Sequence, residues 1–260
     1  MEARAMSFNV RLDAAEDGAD AWPYRRRLVA GTVRYHAPDV IGVQEALDHQ
    51  FRELDAMLDG YDWIGQSRVG EGPGEHAAVG YRTARFERVD WETVWLSETP
   101  DARGSVGWDA RHPRVATLVC LRERETGREL AVCNTHLDHE GERARLEGAR
   151  LLADRLADWA GAAPAVLVGD LNCTAGDPPH AALDGAALAD GRALRPAARA
   201  ATHRHGPRTT RTDFHDLVPD RRIDHAFASD DLAVRSHAVV TDRDDDRYPS
   251  DHLPVVVDLA

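Results

Sequence analysis

Two spacings of hydrophobic residues alternate along the chain, one typical of helices and one typical of strands. Helical spacing occurs at 24–36, where Tyr24 and Val29 share the predicted buried face, and at 143–160, where Gly161 ends the pattern. Short apolar runs predict strands at 39–43, 86–96, 115–121, 130–134, 165–168, 224–228 and 253–259. The pattern is that of a strand-rich, mixed α/β (α+β) protein.

The same order of features occurs twice. In the first half a strand, Asn9, a helix and a second strand precede Glu45, and in the second half a strand, His136, a helix and another strand precede Asp170. We expect two similar sheet-and-helix halves packed face to face, with their polar strand ends meeting at one rim. Segments 69–76 and 192–213 are predicted to be loops within a single domain that spans residues 1–260.

The composition is that of a globular protein without membrane spans. Of 260 residues, 43% are apolar, which is enough for one large core. No apolar run is long enough to cross a bilayer and the first residues lack a signal-peptide core, so we expect a cytoplasmic monomer with no membrane partner. The three cysteines form no Cys-x-x-Cys pair, which argues against a disulfide framework or a thiolate metal site.

The charge is strongly acidic. There are 45 acidic and 32 basic residues, a formal net charge of −13, and every basic residue is arginine. We predict a halophilic protein from a salt-rich cytoplasm, with a GC-rich genome contributing to the arginine content. At about 1 M salt the Debye length is roughly 3 Å, so an acidic surface would neither repel a phosphate substrate nor support non-specific binding of nucleic acid.

Short polar motifs follow the predicted strands in a defined order. They are Asn9, Gln44-Glu45, Thr135-His136, Gly169-Asp170-Leu171-Asn172, Ile223-Asp224 and Ser250-Asp251-His252. In an extended backbone Asp170 and Asn172 would point the same way, towards one ligand.

From about Met6 to Leu259 this ordered set resembles the endonuclease/exonuclease/phosphatase superfamily, which includes deoxyribonuclease I, abasic-site endonucleases, deadenylases, neutral sphingomyelinases and inositol-polyphosphate 5-phosphatases. The stretch Trp95-Leu96-Ser97-Glu98-Thr99-Pro100 is similar to a less characterised prokaryotic branch of that superfamily.

The resemblance implies a four-layer αββα sandwich like that of deoxyribonuclease I, with two packed mixed sheets flanked by helices. It also implies a phosphoesterase that depends on magnesium or manganese (Mg²⁺ or Mn²⁺) and works by direct attack of water, without a covalent intermediate. Glu45 would be the principal metal ligand, with Asn9 close by and Asp251 as a second candidate carboxylate.

The resemblance assigns the remaining motif residues to the reaction itself. His136 and Asn172 would hydrogen-bond the phosphoryl oxygens as negative charge builds up. Asp224 would orient His252 and raise the basicity of its ring. Either His252 or Asp170 would activate the attacking water.

The substrate stays open at this point. We expect a nuclease-like enzyme that hydrolyses phosphodiester bonds, with a phosphomonoesterase acting on a sugar, inositol or nucleotide phosphate as the alternative. A catalytically silent binding scaffold of the same fold is a further alternative. The partner would be a nucleic acid or a small phosphorylated molecule. Arg114, His76 and Tyr81 are weaker candidates for contacting it, and Tyr81 is equally well explained as a core aromatic.

Each motif residue also has a structural explanation when taken alone. Asn9 could satisfy backbone groups at a strand end, Asp170 and Asn172 could form an Asx turn, and Asp224 could pair with a neighbouring arginine. Glu45 could be a charge at a helix N-terminus. These explanations would have to hold independently at every position, so the complete set favours the functional interpretation.

Overall fold

Two β-sheets form the centre of the protein. The computed structural model describes residues 1–260. Its strands are β1 Ala3–Asn9, β2 Val40–Leu47, β3 Tyr61–Ile64, β4 Glu75–Arg82, β5 Phe86–Trp95, β6 Val115–Glu123, β7 Glu129–His136, β8 Ala165–Asp170, β9 Leu194–Pro196, β10 His203–His205, β11 Arg211–Thr212, β12 Leu217–Val218, β13 Asp224–Ser229, β14 Val234–Val239 and β15 Val255–Leu259. Its helices are α1 Trp22–His36, α2 Asp48–Met57, α3 Glu142–Ala160, α4 Pro178–Leu183 and α5 Ala197–Ala200, and a 3₁₀ turn covers Ala15–Asp20.

Both large sheets mix parallel and antiparallel pairs. The seven-stranded sheet has the order β10-β14-β15-β1-β2-β4-β3, in which β1 pairs parallel with β2 and antiparallel with β15. The six-stranded sheet has the order β5-β6-β7-β8-β13-β9, in which β7 and β8 are parallel. Strands β11 and β12 form a small separate ladder.

Three buried hydrophobic layers separate the sheets and helices. The layer between the two sheets includes Val79 and Val132, and the layer between the seven-stranded sheet and helices α1 and α2 includes Phe8. The third layer, between the six-stranded sheet and helices α3 and α4, includes Leu152 and Leu167. The predicted four-layer αββα sandwich is therefore confirmed. None of the five helices combines the length and apolarity needed to cross a membrane.

The predicted elements differ from the observed ones in where they begin and end, and in which face of α1 is buried. Helix α1 begins at Trp22, because Pro23 is favourable in a first helical turn. Tyr24, predicted to be buried, is 68% exposed, whereas Arg25 is fully buried. The two predicted loops also contain regular structure: β4 begins at Glu75, and 192–213 contains β9, α5, β10 and β11, elements of two to four residues each.

A buried hydrogen-bond network joins the two sheets. The side-chain amide of Gln44 donates to Asn134 Oδ1 over 2.6 Å, and Asn134 Nδ2 donates to the carbonyl oxygens of Val43 and Ala78 over 2.9 and 2.8 Å. Gly42 lies against this network, since a Cβ atom there would approach Asn134 Oδ1 to 2.5 Å. The close approach of the sheets therefore requires glycine at this position.

We expect Gly42→Ala to lower the free energy of unfolding by about 1–3 kcal/mol, because an added methyl group overpacks this contact. Urea denaturation followed by circular dichroism measures the change. The matched control is Gly31→Ala in α1, where an added Cβ meets no atom within 4 Å. The control should be neutral or stabilising by up to about 1 kcal/mol. Equal stabilities of Gly42→Ala and the wild type would contradict the proposed sheet contact.

Candidate active site

Polar side chains from both sheets meet at one rim of the sandwich. Asn9 is the last residue of β1, His136 the last of β7 and Asp170 the last of β8, while Asp224 is the first of the antiparallel strand β13. His252 lies in the segment before β15. The fold thus brings together side chains that are up to 243 residues apart in sequence.

Glu45 owes its position to an irregularity in β2. The register between β2 and β4 shifts between Val43 and Ala46, and Glu45 has a left-handed backbone with φ of 66°. Such a conformation costs about 1–2 kcal/mol for a residue with a side chain. The Glu45 carboxylate accepts hydrogen bonds from Asn9 Nδ2 at 2.8 Å and from the Leu12 backbone N–H at 3.2 Å.

Glu45, Asp170 and His252 form a compact group of potential metal ligands. One ligand atom from each lies within 4.8 Å of the others. Asn9 Nδ2 also donates to Asp170 Oδ2 over 3.0 Å, so this amide bridges the two carboxylates. Its own oxygen accepts from the Arg11 backbone N–H, and the oxygen that could bind a metal is therefore engaged elsewhere.

His252 is held by a second carboxylate. Its Nδ1 donates to Asp224 Oδ2 over 2.9 Å, and its Nε2 lies 3.7 Å from Asp170 Oδ2. Burial opposes the charged imidazole, but Asp224 and Asp170 raise the pKa of His252 above its ordinary value. Burial and the neighbouring Asp224 also raise the pKa of Asp170. Asp224 is 1% exposed, so it does not form the surface pair with an arginine that was considered from the sequence.

His136 and Asn172 lie together beside Asp170. Asn172 Nδ2 is 3.1 Å from His136 Nε2 and donates to the Leu137 carbonyl over 2.9 Å. Burial lowers the pKa of His136 well below its ordinary value, which favours the neutral ring. Asn172 is not extended as we predicted; its φ is 48° and its backbone N–H donates to Asp170 Oδ1 over 2.9 Å. Asp170 and Asn172 therefore form an Asx turn and also belong to the candidate site.

Asp251 also faces this space, beside an arginine that the sequence did not single out. Arg211 Nη1 donates to Asp251 Oδ2 over 2.8 Å and also contacts His252 Nε2. Burial alone would raise the pKa of Asp251, but His252 and Arg211 lower it. One carboxylate oxygen of this candidate ligand is therefore already paired.

The three weaker substrate candidates have different positions. Arg114 lines the cavity above the motif residues. His76 lies outside that cavity, where its ring contacts Asp48 at 2.7 Å. Tyr81 is in the core between the sheets and its hydroxyl donates to Asp62 over 2.6 Å. The expectation that Tyr81 lines the cleft is corrected, because its side chain lies in the core. His76 lines a small adjoining pocket with Arg68, Glu75, Arg114 and His136, and its role stays a prediction.

The cavity at the rim has a volume of about 360 Å³ and a strongly polar lining. Of its 16 lining residues only Leu12 and Ile223 are hydrophobic, and none is Phe, Tyr or Trp. Beyond the motif residues, the lining contains four arginines that sequence reasoning missed, namely Arg11, Arg68, Arg211 and Arg221. With Arg114, five arginines thus face four carboxylates in the lining, in a protein of net charge −13.

A fully buried arginine holds the loops around this cavity. Arg25 makes no contact with a carboxylate, and its guanidinium lies 5.3 Å from the Trp22 ring and 5.6 Å from the Phe214 ring. It donates hydrogen bonds to the carbonyl oxygens of Val10, Arg11, Leu12, Asp20 and Pro249. Burial lowers the pKa of Arg25 to about 10, which leaves it charged at neutral pH. The segments after Asn9 and before Asp251 are therefore tied to one cation.

Comparison with known proteins identifies the family. The model of the Endonuclease/Exonuclease/phosphatase family matches residues 6–252. Among curated relatives, Nocturnin of Drosophila melanogaster is 28% identical over 182 residues, which are 64% of this chain and 26% of that protein. The CCR4-Not complex 3'-5'-exoribonuclease subunit Ccr4 of Emericella nidulans is 27% identical over 137 residues, 45% of this chain and 20% of the relative. The chain thus spans about a quarter or less of the length of these relatives.

Solved structures resemble the chain over its whole length. The endonuclease/exonuclease/phosphatase from Bacteroides vulgatus has a TM-score of 0.93 and 33% identity, covering 100% of this chain and 99% of that one. The mannosyl-6-phosphatase of Bacteroides thetaiotaomicron VPI-5482 has a TM-score of 0.91 and 34% identity, with 99% of both chains covered. The human Nocturnin catalytic domain, with a TM-score of 0.77 and 22% identity over 100% of this chain and 93% of that one, shares the fold. By its sequence and its ordered polar motifs, the chain belongs to the endonuclease/exonuclease/phosphatase family.

Proposed function

We propose that the protein hydrolyses a phosphomonoester of a small polar molecule with the help of a divalent metal ion. Members of the family are hydrolases of phosphoester bonds, so the reaction class follows from family membership and a silent scaffold is not favoured. The observation that carries the narrower proposal is the half-open polar cavity of about 360 Å³, which has the size of a small-molecule site.

The cavity favours a small substrate over a nucleic acid. Proteins that bind single strands usually stack bases on aromatic side chains, and no Phe, Tyr or Trp lines this cavity. A neighbour called a mannosyl-6-phosphatase is 34% identical over 99% of this chain, whereas the exoribonuclease subunit Ccr4 is 27% identical over 137 residues. The phosphodiester hydrolysis expected first from the sequence therefore gives way to its phosphomonoester alternative.

The residues present fit a hard divalent cation. Glu45 and Asp170 offer carboxylate oxygens within 4.8 Å of each other, a donor type suited to Mg²⁺ or Mn²⁺, whereas the free ring nitrogen of His252 is kept for the proton. Glu45 would be the principal ligand, and Asp251 keeps one oxygen free of Arg211 as a second candidate. When bound, the metal would neutralise negative charge on the phosphate and the departing oxygen.

The remaining residues would handle the proton and the phosphoryl oxygens. Asp224 holds Nδ1 of His252, which lines the cavity. Because the pKa of His252 is raised, only its neutral form, the minor one at neutral pH, can take a proton from water, and Asp170, 3.7 Å away, is the alternative acceptor. Asn172 and the neutral His136, whose Nδ2 and Nε2 atoms contact each other at 3.1 Å, would have to exchange this contact for hydrogen bonds to the phosphoryl oxygens when the phosphate binds. The halophilic cytoplasm and the monomeric state stay predictions, and assays should therefore cover both low and molar salt.

The isosteric variants Asp170→Asn and His252→Gln should lower kcat on p-nitrophenyl phosphate by about 10²- to 10⁴-fold, because each removes a proton acceptor at the reacting centre. Circular dichroism and thermal melting would show whether the fold is kept. His205→Gln, at an exposed edge-strand position, is the control and should behave as wild type. Activity of both test variants within a factor of two of wild type would rule out these roles.

Chelation with EDTA should abolish activity, and Mg²⁺ or Mn²⁺ should restore it. Glu45→Gln should raise the Mg²⁺ concentration for half-maximal activity at least about tenfold, because it removes the principal carboxylate ligand. Mn²⁺ binding followed by calorimetry gives a readout that does not depend on turnover. Glu147→Gln, which alters an exposed pair with Arg150 on α3, is the control. Unchanged metal affinity in Glu45→Gln would count against Glu45 as the ligand.

Arg25→Lys should weaken Mg²⁺ binding by about 10- to 100-fold, as expected when a residue that supports metal ligands is altered. It should also lower the free energy of unfolding by about 2–4 kcal/mol, because lysine leaves some of the carbonyl oxygens without donors. Arg27→Lys, at an exposed position of the same helix, is the control. Loss of stability with unchanged Mg²⁺ affinity would limit Arg25 to a structural role.

A further inference from the structure

A second group of charged side chains lines the cavity near the motif residues. Arg68 and Glu75 form an ion pair with Nη2 and Oε1 2.5 Å apart, and their side chains are only 14% and 13% exposed. Both residues line the cavity, and neither belongs to the family motifs identified from the sequence. Burial raises the pKa of Glu75 to about 7.

The pair is built into the base of a hairpin loop. The Arg68 backbone N–H donates to the Glu75 carbonyl over 2.9 Å, and Ser67 and His76 form the adjacent β-bridge. The indole N–H of Trp95 donates to the Arg68 carbonyl over 2.7 Å. The two charged side chains are thus anchored through their backbones. A purely structural closure of the hairpin needs no charges, since an apolar pair would avoid the cost of desolvating them.

Arg114 adds a donor beside this pair. Its Nε donates to Asp138 Oδ2 over 3.1 Å and its Nη2 lies 2.8 Å from His139 Nδ1. Its third nitrogen, Nη1, is buried and has no hydrogen-bond partner in the protein, although the residue is only 4% exposed. A buried guanidinium nitrogen without a partner is costly unless a ligand oxygen satisfies it.

Two histidine rings also line the cavity. The rings of His112 and His139 stack at 6.0 Å with an interplanar angle of 16°, and both residues line the cavity. Together the wall offers guanidinium donors from Arg68 and Arg114 and a carboxylate acceptor from Glu75. Paired donors and acceptors of this kind match adjacent hydroxyl groups, each of which both donates and accepts.

We propose that Arg68, Glu75 and Arg114 bind the ring hydroxyls of the leaving group, so that the substrate is a monosaccharide phosphate. This inference rests on the proposed phosphomonoesterase function. The phosphate would lie at Glu45, Asp170 and His252 and the sugar against the Arg68–Glu75 pair. A cavity of about 360 Å³ has room for a phosphate and one six-membered ring.

The test compares leaving groups that carry hydroxyls on a sugar ring with leaving groups that have no sugar ring. Wild-type enzyme with Mg²⁺ is assayed on glucose 6-phosphate, mannose 6-phosphate, glycerol 3-phosphate and p-nitrophenyl phosphate. We expect kcat/KM for at least one hexose phosphate to exceed that for glycerol 3-phosphate tenfold or more, and the two hexose epimers to differ. Failure to hydrolyse any of the four substrates would overturn the proposed function itself. Hydrolysis of p-nitrophenyl phosphate without a preference for a hexose phosphate would overturn only this inference.

Glu75→Gln tests the subsite directly. Loss of a charged hydrogen bond should lower kcat/KM for the preferred hexose phosphate by about 10- to 100-fold relative to p-nitrophenyl phosphate, and should reduce the discrimination between the epimers. Glu71→Gln, an exposed residue of the same loop outside the cavity, is the control and should change neither value. Equal losses on both substrates would make Glu75 structural and overturn the subsite. If Glu75→Gln does not fold, the wild-type preference over glycerol 3-phosphate decides the question.

Discussion

The hydrogen bond between Gln44 and Asn134 sets how the two sheets face each other, and the whole rim depends on that alignment. Gln44 immediately precedes Glu45, and Asn134 lies two residues before His136. Most of the contact between the sheets is apolar and non-directional, whereas amide groups buried away from water must meet specific partners. A small slip between the sheets would therefore separate Glu45 from Asp170 before it disturbed the hydrophobic core.

The sequence predicted the layers and the motif residues because both leave a local signal. Apolar strands that end in a polar residue are visible without coordinates, and their order along the chain carried the resemblance to the family. The arginines of the cavity left no such signal, since arginine is the only basic residue used in the chain. Arg25 was overlooked because a polar residue on an apolar helix face is normally assigned to solvent. The position of Glu45 depends on a strand irregularity that hydrophobic patterning does not reveal.

The net charge of the protein and the charge of its cleft have opposite implications. A total of −13 suggests that phosphate would be repelled, yet five arginines, including Arg114, line the cavity around the acidic centre. Glu45 and Asp170 hold two negative charges close together in a poorly hydrated space, which is costly without nearby cations. Arg211 provides positive charge in direct contact with Asp251, whereas Arg25 acts from a greater distance because it binds only backbone carbonyl oxygens.

The strand order of the seven-stranded sheet has a consequence for how the protein is made. Strand β15 lies between β14 and β1, so the strand nearest the C-terminus occupies an interior position beside the strand nearest the N-terminus. During synthesis on the ribosome, the edge of β1 that pairs with β15 stays unpaired until β15 emerges. An open edge is a template for pairing with another chain, so the growing polypeptide is most vulnerable to aggregation in that interval, and His252, just before β15, arrives only as the interval closes.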